Sequence, residues 1–349
     1  MKLEIAPVHA RLRAPFVSAW GSVVDRSLLL VRIESVDGVS GFGEAAPLPS
    51  YDGVTIDDVR AALEDCRETL RDGDERDRAS LLRACTRRAV LPQAVAAVDL
   101  ALWDLEGRRR REPVWRLLGA PAPAPVEVNA TIASSDRAGA AAEAAAARAA
   151  GFRCAKVKVG LGDDAGRLAA VRAAAGRELA IRLDANGAWT AAEATATLRV
   201  LEPVGIELCE EPVSGLDQLA AVCAQTRIAV ALDESSALPG ALEERHCTAV
   251  CLKISRFGGI TGLLDAAVRA RAAGYEVYLA STLDGPLGIA AALHAAAALG
   301  PDRPCGLATL PTFDGRPDPL PAAGGRMRVA DGPGLGDGLI GWYASDDAQ

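Results

Sequence analysis

Between residues 126 and 308, short apolar and β-branched runs alternate with alanine-rich stretches, and this alternation constrains the fold more than any other feature. Runs at 126–132, 154–159, 178–183, 206–209, 228–232, 249–254, 276–281 and 304–308 read as eight strands, with seven helical stretches between them. Strands that alternate with helices pair in parallel through βαβ units. Eight of them close into a barrel of the TIM type rather than an open sheet. The span is slightly short for a full (β/α)8 barrel, so a short final unit is expected.

The residues before the barrel read differently. Ser27 to Ser35 (SLLLVRIES) is apolar and β-branched, Asp37-Gly38 marks a turn, and Val39 to Glu44 returns as a second strand. Pro47 to Gly53 (PLPSYDG) reads as a loop, and 56–118 as helical. Gln93 to Glu106 carries apolar residues at helical spacing. Arg108 to Arg111 follow it at the negative end of the helix dipole, as a solvated helix end. Pro121 to Pro125 (PAPAP) is a stiff linker. The expected organisation is an α+β capping domain over 1–120 and a barrel over 121–319, with a Gly- and Asp-rich segment, 320–349, returning to the cap.

A barrel of this kind carries its chemistry at the C-terminal ends of its strands. Strand two reads CAKVKVG, so Lys156 and Lys158 point to one side and Ala155, Val157 and Val159 to the other. Two lysines facing a barrel interior are costly without a use. Their mutual repulsion and desolvation are expected to lower the pKa of one, which could then act as a base. The bland reading is an edge strand with solvated lysines. Strands three, four and five end in LDAN, LCEEP and ALDES, placing Asp184, Glu210 and Asp233 at their tips. The spacings of 26 and 23 residues are each about one βα unit. One acid alone at a strand end is usually a helix N-cap. Three in register can converge on one hard cation, and oxygen-only ligands favour Mg²⁺ over zinc. Strand six (VCLKISRFGG) adds Lys253, opposite Lys158 across the barrel. Arg256 reads as solvated or as an anion contact. Strand seven (LASTLDGPLGI) places Ser281, Thr282 and glycines at a helix start, whose N–H groups could hold a carboxylate or simply be capped.

Other chemistries find no support. The net charge of −8, from 38 basic and 46 acidic residues, argues against nucleic acid as a partner. No run approaches the ~18 apolar residues of a membrane helix, and the N-terminus lacks the apolar block of a signal peptide, so a cytoplasmic protein is expected. The eight cysteines include no CxxC pair. His9, His246 and His294 show no ligand spacing, and Gly160 to Gly162 is too short for a phosphate loop. A non-catalytic barrel used as a scaffold would have no reason to keep six polar positions in register.

KVK, LDAN, CEEP, LDES and LKISRFGG, in this order and spacing, resemble the enolase superfamily and within it the muconate-lactonizing-enzyme subgroup. GFGEAAPLPSYDG and DLALWDLEGRRRREPVWRLLG extend the resemblance over nearly the whole chain. It implies an α+β cap on a (β/α)7β barrel. It also implies Mg²⁺ (or Mn²⁺) held by Asp184, Glu210 and Asp233, with Lys158 and Lys253 as acid/base residues and Lys156 keeping Lys158 partly neutral. Strand seven offers no histidine, which sets aside the mandelate-racemase subgroup's Lys and His–Asp arrangement.

The stretch STLDGPLGIAAALHAAAALGPDRPCGLATL is similar to the o-succinylbenzoate synthase family. That likeness implies syn-dehydration on the menaquinone route, with Lys158 shuttling the proton and Lys253 steadying an enediolate. A second substrate carboxylate would then sit on the strand-seven N–H groups. The rivals are an N-acylamino-acid racemase or dipeptide epimerase, in which Lys158 and Lys253 exchange protons on opposite faces, and a muconate-type cycloisomerase. Dipeptide epimerases resemble one another in an acidic DxD pair near the last strand. CGLATLPTFDG lacks it, although Asp284 could serve. Phe16, Trp20 and Tyr51 would form a partly aromatic lid or ordinary cap packing. The expected partner is a small carboxylate substrate, and association into a homo-oligomer is compatible with the fold.

Overall fold

A computed structural model describes residues 1–74 and 77–344. Three antiparallel strands open the chain: β1 (Lys2–Ser18), β2 (Gly21–Glu34) and β3 (Ser40–Ala45), in sheet order β1-β2-β3. Six helices follow: α1 (Pro49–Asp52), α2 (Ile56–Asp65), α3 (Arg67–Arg71), α4 (Arg78–Thr86), α5 (Pro92–Arg110) and α6 (Val114–Leu117). The stretch read as a loop at 47–53 thus contains one short helical turn, because Pro49 stands at its first position and Gly53 closes it in the left-handed region.

Helix α5 is buried along nearly its whole length. It lies against β3, where a Cβ on Gly41 or Gly43 would collide with the Ala101 or Ala97 carbonyl, so only glycine permits this approach. Its far face meets the barrel. Asp99 accepts from the Thr261 amide (2.9 Å) and hydroxyl (2.6 Å), and Asp104 accepts from the Phe42 and Leu335 amides at 2.9 and 2.8 Å. Three of the four arginines at its end are ion-paired, Arg108 with Asp104, Arg109 with Asp37 and Asp74, and Arg110 with Glu106, while Arg111 is exposed.

The remaining elements are β4 (Val126–Glu127), β5 (Ala130–Ile132), α7 (Arg137–Ala149), β6 (Cys154–Lys158), α8 (Asp164–Ala175), β7 (Ala180–Asp184), α9 (Ala191–Leu201), β8 (Ile206–Glu210), α10 (Leu216–Gln225), β9 (Ala229–Leu232), β10 (Ala249–Leu252), α11 (Gly259–Ala272), β11 (Glu276–Leu279), α12 (Pro286–Leu299) and β12 (Arg326–Met327). Strands β5 to β11 form one parallel sheet in sequential order. Single bridges from Cys305 to Val128 and from Gly306 to Ala280 join its two edges, so the expected strand at 304–308 closes the barrel through two residues only. This is a (β/α)7β-type barrel beneath an α+β cap.

Three details differ from the sequence expectation. The run at 126–132 is split: β4 pairs with β12, and only β5 enters the barrel sheet. Among the described residues the barrel strands are connected by six α-helices, not seven. The β9–β10 connection holds only a 3₁₀ turn, Glu234–Ala237, and Pro239-Gly240 follow where a helix would continue. The C-terminal segment first pads the barrel through β12 and reaches the cap later, where Leu335 meets Asp104 and then Tyr343 meets Glu44. Its expected outer part, 345–349, lies outside the described residues. No helix among the described residues is long and apolar enough to cross a membrane.

Candidate active site

Strand register assembles the site. Lys158 stands level with Asp184, and Asp184 with Glu210, across three adjacent strands. Glu210 is level with Ala231, so Asp233 lies two residues further along β9, on the same side. Lys253 follows the end of β10. In an eight-position ring β6 and β10 are four steps apart in either direction, so Lys158 and Lys253 enter from opposed walls. Lys158, Asp184, Glu210, Asp233 and Lys253 are each at most 5% exposed. An edge strand with solvated lysines is therefore excluded.

The buried charges are paired. Lys158 Nζ lies 2.6 Å from Asp184 Oδ2, and Lys156 Nζ bridges Asp184 Oδ2 at 2.8 Å and Glu210 Oε1 at 2.6 Å. Lys253 Nζ lies 2.7 Å from Asp233 Oδ2. Burial works to lower the Lys156 pKa, yet Asp184, Glu210 and Asp233 override it and hold the ammonium well above its ordinary value. The expected lowering by lysine–lysine repulsion therefore does not occur at Lys156, because carboxylates stand closer than the other amine. Lys253 behaves alike, raised by Asp233 against burial. Burial would raise Asp184 and Asp233, but their lysines hold both below the usual carboxylate range. Glu210 goes the other way: burial, reinforced by Asp184 and Asp233 and opposed by Lys156, pushes it up to about 7.

Several supporting residues are given no role by the sequence, although LCEEP places Glu211 at the strand-four tip beside Glu210. Asn186 accepts from Lys158 Nζ at 2.8 Å and donates to Glu234 at 2.9 Å, and it sits at φ 49°. Glu211, at φ 38°, accepts from the Asp233 amide (2.7 Å), the Ser235 amide (3.1 Å) and the Ser235 hydroxyl. Left-handed backbone at non-glycine residues costs energy and marks positions that the surroundings over-determine. Tyr278 donates to Glu210 Oε2 at 2.8 Å. The available signal was the second polar residue in LDAN and CEEP: Asn186 lines the pocket beside Asp184, and Glu211 braces the strand end behind Glu210.

The cap roofs the pocket. Phe16, Trp20, Val23, Leu48 and Tyr51 line its upper side. Lys158 Nζ lies 5.3 Å from the Phe16 ring centroid and 5.4 Å from that of Trp20, while Lys253 Nζ lies 4.0 Å from that of Tyr51. Trp20 and Tyr51 meet edge-on at 4.9 Å, and Tyr51 donates to Asp233 Oδ1 at 2.9 Å. All three expected lid aromatics are thus at the pocket. Arg256 stacks near Tyr51 (5.3 Å), outside the pocket lining, with its Nε buried and unpartnered.

The strand-seven side departs from expectation. Ser281 and Thr282 line the pocket, whereas Asp284 does not. Asp284 lies behind the wall and accepts from the Thr282 amide (3.2 Å) and hydroxyl (2.7 Å). The N–H groups expected to receive a substrate carboxylate are already engaged. Leu283 donates to the Ser281 hydroxyl (3.3 Å), Gly285 to Glu44 (2.8 Å) and Leu287 to Tyr343 (2.9 Å). A carboxylate does occupy the start of α12, but it is Glu44 of the cap.

The donor set suits a hard divalent cation. Carboxylate oxygens of Glu210 and Asp233, with the Cys251 thiol, lie within 4.8 Å of one another; Asp184, the third expected ligand, falls outside that group and is linked to Glu210 through Lys156 Nζ. Three lysine Nζ atoms stand among these buried oxygens, which fits a place built for positive charge.

The chain matches two family models. Residues 1–119 match the mandelate racemase / muconate lactonizing enzyme N-terminal domain, and residues 139–339 match the enolase C-terminal domain-like family. It is similar to the L-Ala-D/L-Glu epimerase of Clostridium acetobutylicum, with 31% identity over 308 residues, 85% of this chain and 86% of that protein. It is also similar to chloromuconate cycloisomerase of Pseudomonas putida, with 30% identity over 312 residues, 85% of this chain and 84% of that protein. In three dimensions it resembles the dipeptide epimerase of Cytophaga hutchinsonii complexed with Mg and D-Ala-L-Val. The TM-score is 0.88 at 28% identity, covering 97% of each chain.

Proposed function

The chain belongs to the enolase superfamily, in its mandelate racemase / muconate lactonizing enzyme family, and on that premise we propose that it is a magnesium-dependent racemase or epimerase acting on the carbon α to a carboxylate in an N-acylated amino acid or a dipeptide. The observation that carries this reading is the pair of buried lysines, Lys158 and Lys253, entering one pocket from opposed walls with a carboxylate beside each. Inverting a carbon requires a base on one face and an acid on the other, and two amines on opposed walls supply both. The syn-dehydration expected from the sequence needs only one mobile proton carrier. None of the relatives named above is a dehydratase, so dehydration gives way to its alternative.

An α-proton beside a carboxylate is very weakly acidic, and its removal spreads a second negative charge over the carboxylate oxygens. Magnesium at Asp184, Glu210 and Asp233 would supply the offsetting positive charge. Lys158 takes the proton from one face and Lys253 returns one to the other, with the roles reversed for the opposite enantiomer. Asn186 holds Lys158 Nζ in line, and Glu211 holds the backbone that presents Asp233. The cap aromatics exclude water from the exchanging protons.

The test is proton exchange in D₂O with Mg²⁺, using each enantiomer of N-acyl amino acids and dipeptides. The wild type is expected to wash deuterium into both enantiomers and to racemise them. Lys158→Ala should lose exchange from one enantiomer and Lys253→Ala from the other, and each should abolish racemisation. Dehydration of a hydroxy acid without racemisation of any of these compounds would overturn the proposal.

A further inference from the structure

Away from the lysine–carboxylate cluster, the pocket carries no charged side chain among the described residues. Its far wall is Asn129, Thr131, Ser281, Thr282 and Thr309, and its roof is aromatic and aliphatic. Behind that wall, Arg26, Asp284 and Glu44 are spent within the protein, while Arg256 and Glu234 stand outside the lining, next to Tyr51 and Asn186. Arg26, 2% exposed, donates to the carbonyls of Pro47 (2.7 Å), Ala46 (3.0 Å) and Leu283 (3.4 Å). Asp284 is taken by Thr282, and Glu44 by Gly285 and Tyr343.

Two neutral groups on the wall remain open. Asn129 and Thr131 are two residues apart at β5, so both side chains enter the barrel. Asn129 is 3% exposed, and its Nδ2 bonds to the Ala130 carbonyl (3.1 Å) while its Oδ1 has no hydrogen-bond partner among the described residues. The Thr131 hydroxyl, also on the lining, has none among the described residues either. The Ser281 and Thr309 hydroxyls satisfy each other at 2.8 Å. An uncommitted amide oxygen beside an uncommitted hydroxyl matches the N–H and C=O of a neutral amide. A second ionised group would be desolvated here without a counter-charge in the lining, which is unfavourable.

We propose that the substrate carries one ionised group, its α-carboxylate, and that its α-nitrogen is masked as a neutral amide bearing an uncharged acyl group, with an apolar side chain beneath the cap aromatics. This inference rests on the racemase or epimerase reading and narrows its substrate class. A free amino-terminal ammonium, as in a dipeptide, or a distal carboxylate, as in an N-succinyl group, meets no charged side chain in the lining outside the lysine–carboxylate cluster.

The experiment compares N-acetyl-, N-succinyl- and L-alanyl-phenylalanine with the full chain and Mg²⁺. Binding is read by isothermal titration calorimetry and turnover by chiral chromatography. The N-acetyl compound is expected to bind at least tenfold more tightly than either charged analogue, and to lead in kcat/KM by a similar factor. Equal or tighter binding of a charged analogue overturns the inference. Thr131→Asp, shown to be folded by circular dichroism, should shift the preference at least tenfold toward the alanyl compound; an unchanged order also overturns it. Absence of α-proton exchange with all three, with the binding order as expected, would defeat the racemase reading and leave the charge requirement standing.

Discussion

Glu44 offers the sharpest test of how cap and barrel are joined. Its carboxylate leaves β3 and enters the barrel at the start of α12, between Gly285, Gly288 and Tyr343, with Asp284 beside it and Arg26 close by. Burial, with the charge of Asp284, outweighs the donors at Tyr343, Gly285 and Gly288 and pushes Glu44 up to about 8 from an ordinary 4.5. Because the pKa is higher in the folded state than in the unfolded one, the folded protein binds the extra proton between these two pH values. Stability is therefore fully present below about pH 4.5 and falls as pH rises toward 8. The linkage amounts to roughly 3–5 kcal/mol across this window. Asp284, itself raised chiefly by burial, acts in the same direction. Glu44→Gln keeps the shape and removes the titration. Urea midpoints measured between pH 5 and 9 should show the wild type losing stability relative to Glu44→Gln by roughly that amount. The variant should be no more stable near pH 5 and the more stable of the two above pH 8. Parallel pH profiles for the two proteins would refute the reasoning.

Other outcomes follow from the same contacts. Chelation should abolish activity, and Mg²⁺ should raise the unfolding midpoint even without substrate, approaching about 2.7 kcal/mol at a hundredfold excess over Kd. No thermal shift with Mg²⁺ would count against the three-acid site. Tyr51→Phe keeps the ring 4.0 Å from Lys253 but removes the 2.9 Å donor to Asp233. A loss of about 1.5 kcal/mol or more, roughly tenfold or greater in kcat/KM, is expected, and less than a twofold change would sink that role. His294 accepts from the Trp115 amide at 3.0 Å, and burial pushes it down to about 4 from 6.5. Its folded form stays neutral while the unfolded form charges, so stability should fall as pH drops from 6.5 toward 4, by roughly 3 kcal/mol. His294→Gln should flatten that acid limb in urea titrations, and an unchanged limb would exclude His294 as its source.

The legible part of this protein was what depends on spacing along one strand. The period of two put Lys156 and Lys158 on one side, and the recurrence of acids about one βα unit apart put Asp184, Glu210 and Asp233 at neighbouring tips. The shorter features failed where a local pattern had a tertiary competitor. The run at 126–132 reads as one strand, yet β12 claims its first residues. The β9–β10 connection has room for a helix but carries Pro239-Gly240. The start of α12 looks like an open anion site, yet Glu44 fills it from 241 residues away.

The amino-acid sequence alone therefore determined the alternating architecture, the direction in which each polar side chain leaves its strand, and the chemical kind of the site. Those properties are set by backbone periodicity and by residue type. Only the tertiary structure decided which charges neutralise one another, which N–H groups stay free, and that Tyr51 reaches Asp233 across 182 residues. Coulomb energy and desolvation depend on distance in space, which a linear chain does not carry.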